Sequence, residues 1–363
     1  MQQQLQHYGS AIYLYKYFNK RKKYMWQEVI SSKKKKKERI STIIKNILAV
    51  SIPISLCAIF SATTKTIDAL TVVRILKNII GEEKATIQYG ILSGKVDTII
   101  MLPFSFNIAF ATALVPTISS AIAKKQIDIA KRRIKFSILV TILIGIPCSV
   151  LISRFSGQIL TLLFPNASSG EQMLKYSAWS IIFVVLIQTI NGALQGMGKV
   201  NVPVIAFGVG AVIKLVLNII MIPKLGTNGA VIASILSYII SFIICFISLE
   251  RNMDIKFETS KFVIKPIIAS GIMLIFVHVF FEIINNVAFT KLNLIVTIIF
   301  GVIIYVILVI LLKILSKEDV SMLPYGKKVY KKIENLKRLN PLKKLDFINK
   351  HSRSLREKGN YKK

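Results

Sequence analysis

The chain has 363 residues, 53% of them apolar, with a mean hydropathy of +0.59 and 49 Lys+Arg against 17 Asp+Glu, a formal charge of +32. That hydropathy excludes an ordinary soluble domain. The basic residues cluster at the ends of apolar stretches, so the expected partner of the charge is the anionic inner leaflet of a membrane and no nucleic acid is expected.

In chain order, residues 1–18 (MQQQLQHYGSAIYLYKYF) close in an aromatic, apolar run that stops at basic residues. The run is too short to span a bilayer and lacks the order of a signal peptide, so it reads as an interfacial segment or as the stump of a preceding membrane helix. Residues 19–40 form a basic cytoplasmic linker with five consecutive lysines, Lys33–Lys37. Eight apolar stretches follow, at 43–63, 91–119, 134–154, 174–194, 200–222, 228–249, 263–284 and 293–315, each long enough to cross the hydrocarbon core. The expected class is therefore all-α, a polytopic transmembrane bundle of about eight spans.

Basic residues alternate by side. Segment 16–45 carries 12, 124–135 six, 251–265 four and 313–363 sixteen, while 77–88 and 154–175 carry two each. By the positive-inside rule both termini are cytoplasmic, in a multi-pass protein of the plasma membrane. The polar tail 317–363, with weakly amphipathic stretches such as Val329–Leu339, reads as a topology signal lying against anionic lipid.

Ionisable and amide side chains inside the spans are the candidate site, because such groups are costly in hydrocarbon and face a cavity or a partner. Lys65, Asp68 and Arg74 lie on an extension of the first span to about residue 76; Lys65 and Asp68, three apart, share a face and can pair. That pair fits an ordinary interfacial contact and a cavity wall equally. Lys95 and Asp97 stand two apart and cannot face each other. Lys214 sits mid-span with Asn218 four residues on, too central to snorkel, so water or a bound anion is expected beside it. Gln188, Asn191 and Gln195 make one polar stripe, suited to interhelical bonding or to substrate. His278 and Glu282 read as outer-surface residues. Gly208, Gly210, Ala206 and Ala211 offer a small-residue packing face, and Pro53, Pro103, Pro116 and Pro147 can kink their helices.

No glycine loop ending in GK[ST], HExxH motif or nucleophile elbow occurs, so no enzyme reading, no ATP and no cofactor are implied. Cys57, Cys148 and Cys245 lie in apolar stretches and His7, His278 and His351 are scattered, so no disulfide framework or metal site is expected.

Two stretches carry a resemblance: residues 90–125, with Leu-Val-Pro-x-Ile-Ser at 114–119, and residues 191–240, with Gln-Gly-x-Gly-Lys…Pro at 195–203. The chain resembles the polysaccharide-exporter branch of the multidrug/oligosaccharidyl-lipid/polysaccharide flippase superfamily, near the stage V sporulation protein B group and similar to lipid II flippases. The resemblance covers residues 40–315. It implies helix lobes rocking about a central cavity that carries a lipid-linked anionic saccharide between leaflets, for envelope or spore-cortex synthesis. Lys65, Arg74, Lys95 and Lys214 would neutralise a diphosphate. On this reading 1–18 ends a first lobe, 41–250 is a six-helix second lobe, and 251–316 supplies two additional C-terminal helices. A separately encoded first lobe is then a candidate partner, and a truncated or split product that inserts without transporting alone is the alternative. A cation-coupled drug exporter, using Asp68 and Asp97, is a weaker one. Lipid II flippases carry an arginine five residues before the first proline of the first stretch, here Pro103; this chain has Thr98 at that position.

Overall fold

A computed structural model describes residues 12–22, 24, 26–27, 39–165, 167–287 and 292–322. The five-lysine run and the tail stretch Val329–Leu339 lie outside the described residues. The structure divides into two units, Met1–Ser51 and Ile52–Lys363. In the first, residues 12–22 are helical and exposed, with Tyr13 and Tyr17 stacked at 6.3 Å and Arg21 over the Tyr17 ring at 5.1 Å.

Eight helices among the described residues are long and apolar enough to cross a membrane. They are α1 (Ile40–Ile80), α2 (Glu82–Ala123), α3 (Ile127–Arg154), then, after the short α4 (Ser156–Leu163), α5 (Glu171–Gly196), α6 (Asn201–Leu225), α7 (Thr227–Met253), α8 (Ser260–Asn285) and α9 (Leu292–Leu311). A short α10 (Lys317–Met322) closes the described chain. All eight expected spans are present, and no strand occurs among the described residues. At 41 residues α1 is about 60 Å long, twice the hydrocarbon thickness, so part of it stands beyond the core.

Within the second unit α5 is the most buried long helix and packs against α2, α3 and α7; α6 pairs with α7, and α8 with α9 and α3. Lipid tails are as apolar as leucine, so burying apolar surface does not by itself drive such helices together; close approach and polar bonds must. Glycines supply the approach. Gly192 and Gly196, one turn apart on α5, lie so near the α2 backbone that a Cβ would meet Ala111 O at 2.7 Å and Val115 O at 2.9 Å. Gly210 gives the same closeness to α7, where Ser237 and Ser241 donate to Gly210 O (2.8 Å) and Ala206 O (3.0 Å). The expected small-residue face is therefore used through Ala206 and Gly210, while Gly208 turns towards Phe60 with ordinary spacing.

A buried hydrogen-bond cluster locks α2, α3 and α5. Asn107 donates to Val185 O (2.8 Å) and Thr189 Oγ1 (3.2 Å), Thr141 donates to Asn107 Oδ1 (3.2 Å), and the two threonine hydroxyls meet at 2.7 Å. Outward faces carry residues such as Phe106, Val212 and Ile275, suited to lipid.

Candidate functional site

Two facing stripes build the site. On α1, Thr64, Asp68 and Thr71 recur at four- and three-residue spacing, one helical face. On α6, Lys214 and Asn218 are one turn apart, near the middle of a 25-residue helix. Lys214 Nζ donates to Asp68 Oδ2 at 2.5 Å, and Asn218 Nδ2 donates to Asp68 Oδ1 at 3.0 Å and to Thr71 Oγ1 at 2.7 Å. Thr71 Oγ1 in turn donates a hydrogen bond to Ile67 O at 2.6 Å. Lys214 is 2% exposed and Asn218 fully buried, while the Asp68 side chain keeps 14%. Asn218 Oδ1 has no hydrogen-bond partner among the described residues, so the cluster retains a free acceptor.

Two further helices reach the cluster. From α7, Tyr238 pairs with Thr64 and lies within electrostatic reach of Asp68 and Asp97. From α2, Asp97 stands within reach of Asp68, Lys65 and Lys214. Taking charges out of water is tolerable only when they are paired and hydrogen-bonded, and this pair satisfies that requirement.

This geometry corrects two expectations. Lys65 is exposed, and Asp68 pairs across to α6 rather than with Lys65 along its own helix. Equally, the partner of Lys214 is a carboxylate of the chain itself, in place of water or a bound anion. The physical reason is one of reach: the facing stripe of α6 brings an ammonium to a carboxylate already receiving the Asn218 amide.

The remaining residues divide. Arg74 is exposed and lines a cavity of about 680 Å³ between α1 and α6, which it shares with Thr71, Leu215 and Ile219. Lys95 does not join the cluster. Its amine bonds Ala167 O, approaches Ser169 Oγ at 3.5 Å and lies 5.5 Å from the Phe164 ring centre, fastening the loop after α4. A wider, π-helical turn at Ile91–Val96 precedes Asp97 and offsets it from Lys95. Thr98 is exposed and bonds Gly94 O at 2.7 Å. Gln195 donates to Asn191 Oδ1 (3.0 Å) and Asn191 approaches Cys57 Sγ (3.7 Å), so this stripe ties α5 to α1, with Gln188 half-buried beside it. His278 and Glu282 are exposed, and Arg154 contacts His278 Nδ1 at 2.8 Å. Thr64, Thr71 and Tyr238 are the members that mid-span charge alone does not mark; the spacing of Thr64 and Thr71 about Asp68 is the signal that points to two of them.

The family model described as lipid II flippase MurJ matches residues 95–305, more than half of the chain. The chain belongs to the MurJ lipid II flippase family. Lys95, Asp97, Gln188, Asn191, Lys214 and Asn218 fall inside the matched span; Lys65, Asp68 and Arg74 precede it. Among MurJ-like relatives, the lipid II flippase MurJ of Bacillus subtilis is 30% identical over 45% of this chain and 31% of its own length. Stage V sporulation protein B of the same organism is 25% identical over 41% of this chain and 29% of its own. The chain thus spans about a third of the length of these relatives. The solved structure of a lipid II flippase MurJ in an inward closed conformation superposes with a TM-score of 0.54 at 18% identity, over 68% of this chain and 50% of that one. The MurJ-like fold is shared.

Proposed function

We propose that this member of a lipid II flippase-like transporter family helps move a lipid-linked anionic saccharide, a polysaccharide or peptidoglycan precursor, across the plasma membrane, with both termini in the cytoplasm. The observation that carries the proposal is the Asp68–Lys214 pair, held between two membrane-length helices at the middle of α6, with exposed Lys65 on the same face of α1. A diphosphate entering beside α1 would compete with Asp68 for the Lys214 ammonium, being the stronger, multidentate acceptor. Exchange of that partner removes the charged tie between α1 and α6, leaving the Asn218 bonds to break next, and gives the two-state element that alternating access requires. Residues 41–250 would act as one lobe, with residues 251–316 as appended helices. The match covers only 31% and 29% of these relatives, which supports a need for a further lobe, encoded in the same gene or separately.

A second reading has one observation in its favour. Asp68 and Asp97 lie within electrostatic reach of each other, as the coupling acids of a cation-driven drug exporter would. The cations beside them, Lys214 and Lys65, favour an anionic cargo instead.

The test is flux of a fluorescent lipid-diphosphate-saccharide in vesicles by the chain, alone and beside any flippase lobe encoded next to it, with Lys214→Met and Asp68→Leu/Lys214→Met. Loss of flux in both variants at normal insertion is expected. Full flux in the double variant would reduce the pair to a structural tie and sink this site; flux driven only by a cation gradient and indifferent to the saccharide would favour the second reading.

A further inference from the structure

A second cavity, of about 500 Å³, lies between α2 and α3 at the end of the bundle that carries Lys124, Lys125, Lys131, Arg132, Arg133 and Lys135. Its wall changes character along its length. Phe110, Leu114 and Phe136 line the part towards the membrane interior; Arg132 and Arg133 stand at the basic end, where Met322 of α10 also borders it. Ala113 and Ile129 are exposed, so the cavity opens sideways on the helix surface.

The two guanidinium groups are differently held. Arg133 is half-buried, and its Nη1 donates to Thr117 O at 2.8 Å, which aims the group and uses one of its five N–H donors. Arg132 is exposed and meets Glu318 only at 3.8 Å, a loose surface contact. No carboxylate lines the cavity itself among the described residues. A guanidinium matches the geometry of a phosphate, both arginines line this cavity, and a basic pocket between membrane helices at their interfacial end is suited to an anionic lipid headgroup. The apolar portion gives the first carbons of an acyl chain a place to lie.

We infer that this cavity binds an anionic phospholipid of the surrounding leaflet, its phosphate on Arg132 and Arg133 and a chain against Phe110, Leu114 and Phe136. The site is separate from the Asp68–Lys214 cluster, since Asp97 and Leu114 are about 25 Å apart along α2. The lipid would wedge α2 against α3 and bear on α10, whose Glu318 and Asp319 contact Arg132 and Lys261.

The experiment is native mass spectrometry of the full chain, released from micelles doped with phosphatidylglycerol or with phosphatidylcholine of the same chains, or with inorganic phosphate or glycerophosphate. Phosphatidylglycerol adducts are expected to outlast phosphatidylcholine adducts by about tenfold, with neither small anion retained. Arg132→Gln, at an exposed position that leaves the fold intact, should remove most of that preference. Ala113→Phe, which fills the apolar portion and keeps both arginines, should do the same. Lys124→Gln/Lys125→Gln removes more charge but no lining residue and should change nothing. Equal retention of the two lipids overturns the inference, as does retention of free phosphate, an ineffective Ala113→Phe, or an equal loss in the lysine variant.

Discussion

Replacing Lys214 by Leu, Asp68 by Leu, and both together tests whether the pair is a unit. Each single change strands a charge in a site where Lys214 is 2% exposed and the Asp68 side chain 14%. Breaking a buried pair this way costs about 3–5 kcal/mol. The two singles should not be equal. With Lys214 gone, Asp68 still receives the Asn218 amide at 3.0 Å; with Asp68 gone, the ammonium loses the carboxylate that satisfied it. Asp68→Leu is therefore the more destabilised. In the double variant neither charge of the pair is left, and the loss falls to the amide bond of Asn218, about 1 kcal/mol. The double should thus be more stable than either single, with non-additivity of about 3 kcal/mol or more. The assay is the denaturation midpoint of the purified full chain in mixed micelles of increasing sodium dodecyl sulfate fraction. Singles within about 1 kcal/mol of the parent, or a double variant showing the full sum, would refute the reasoning.

Other outcomes follow from the same structure. Gly192→Ala places a Cβ 2.7 Å from Ala111 O, a backbone atom that cannot turn aside, and should destabilise by about 1–3 kcal/mol; Gly94→Ala, with open space around it, should be neutral or mildly stabilising in the same denaturation assay. Burial would raise the carboxyl of Asp319, but hydrogen bonds from Lys261 Nζ (2.6 Å) and from Ser316 Oγ and N–H outweigh it and hold it below the usual carboxylate range. Because the folded value is the lower one, this latch contributes above the unfolded carboxyl value of about 3.9 and is lost as pH falls through the folded value. Amide exchange over residues 316–322, corrected for intrinsic rates, should rise on acidifying below about pH 4 and become insensitive to acid in Asp319→Asn. Protection at pH 3 equal to that at pH 6 in the parent would remove the latch.

The membrane helices were legible because length and hydropathy are local quantities: a run of about 20 apolar residues needs no partner to be recognised. The same holds for Lys214, since an ammonium in mid-span is costly wherever the chain goes next. What could not be read was its partner. Asp68 lies 146 positions away, and Lys65, three residues from Asp68 on the same helix, was the nearer and equally plausible mate. Only the packing of α1 on α6 decides between them, because it sets which face of α1 meets the Lys214–Asn218 stripe. Lys95 shows the converse, a cation in a promising stretch that the fold commits to Ala167 and Ser169. Gly192 and Gly196 stood at a spacing that could have been read as a close-packing face, but the helix they approach could not.

The sequence by itself therefore determined the class of the protein, its spans and its family resemblance, all of which rest on composition along one dimension. Tertiary structure alone decided which charges meet, which stand exposed, and where arginines and an apolar wall share a cavity, because those facts depend on the register and rotation of helices far apart in the chain.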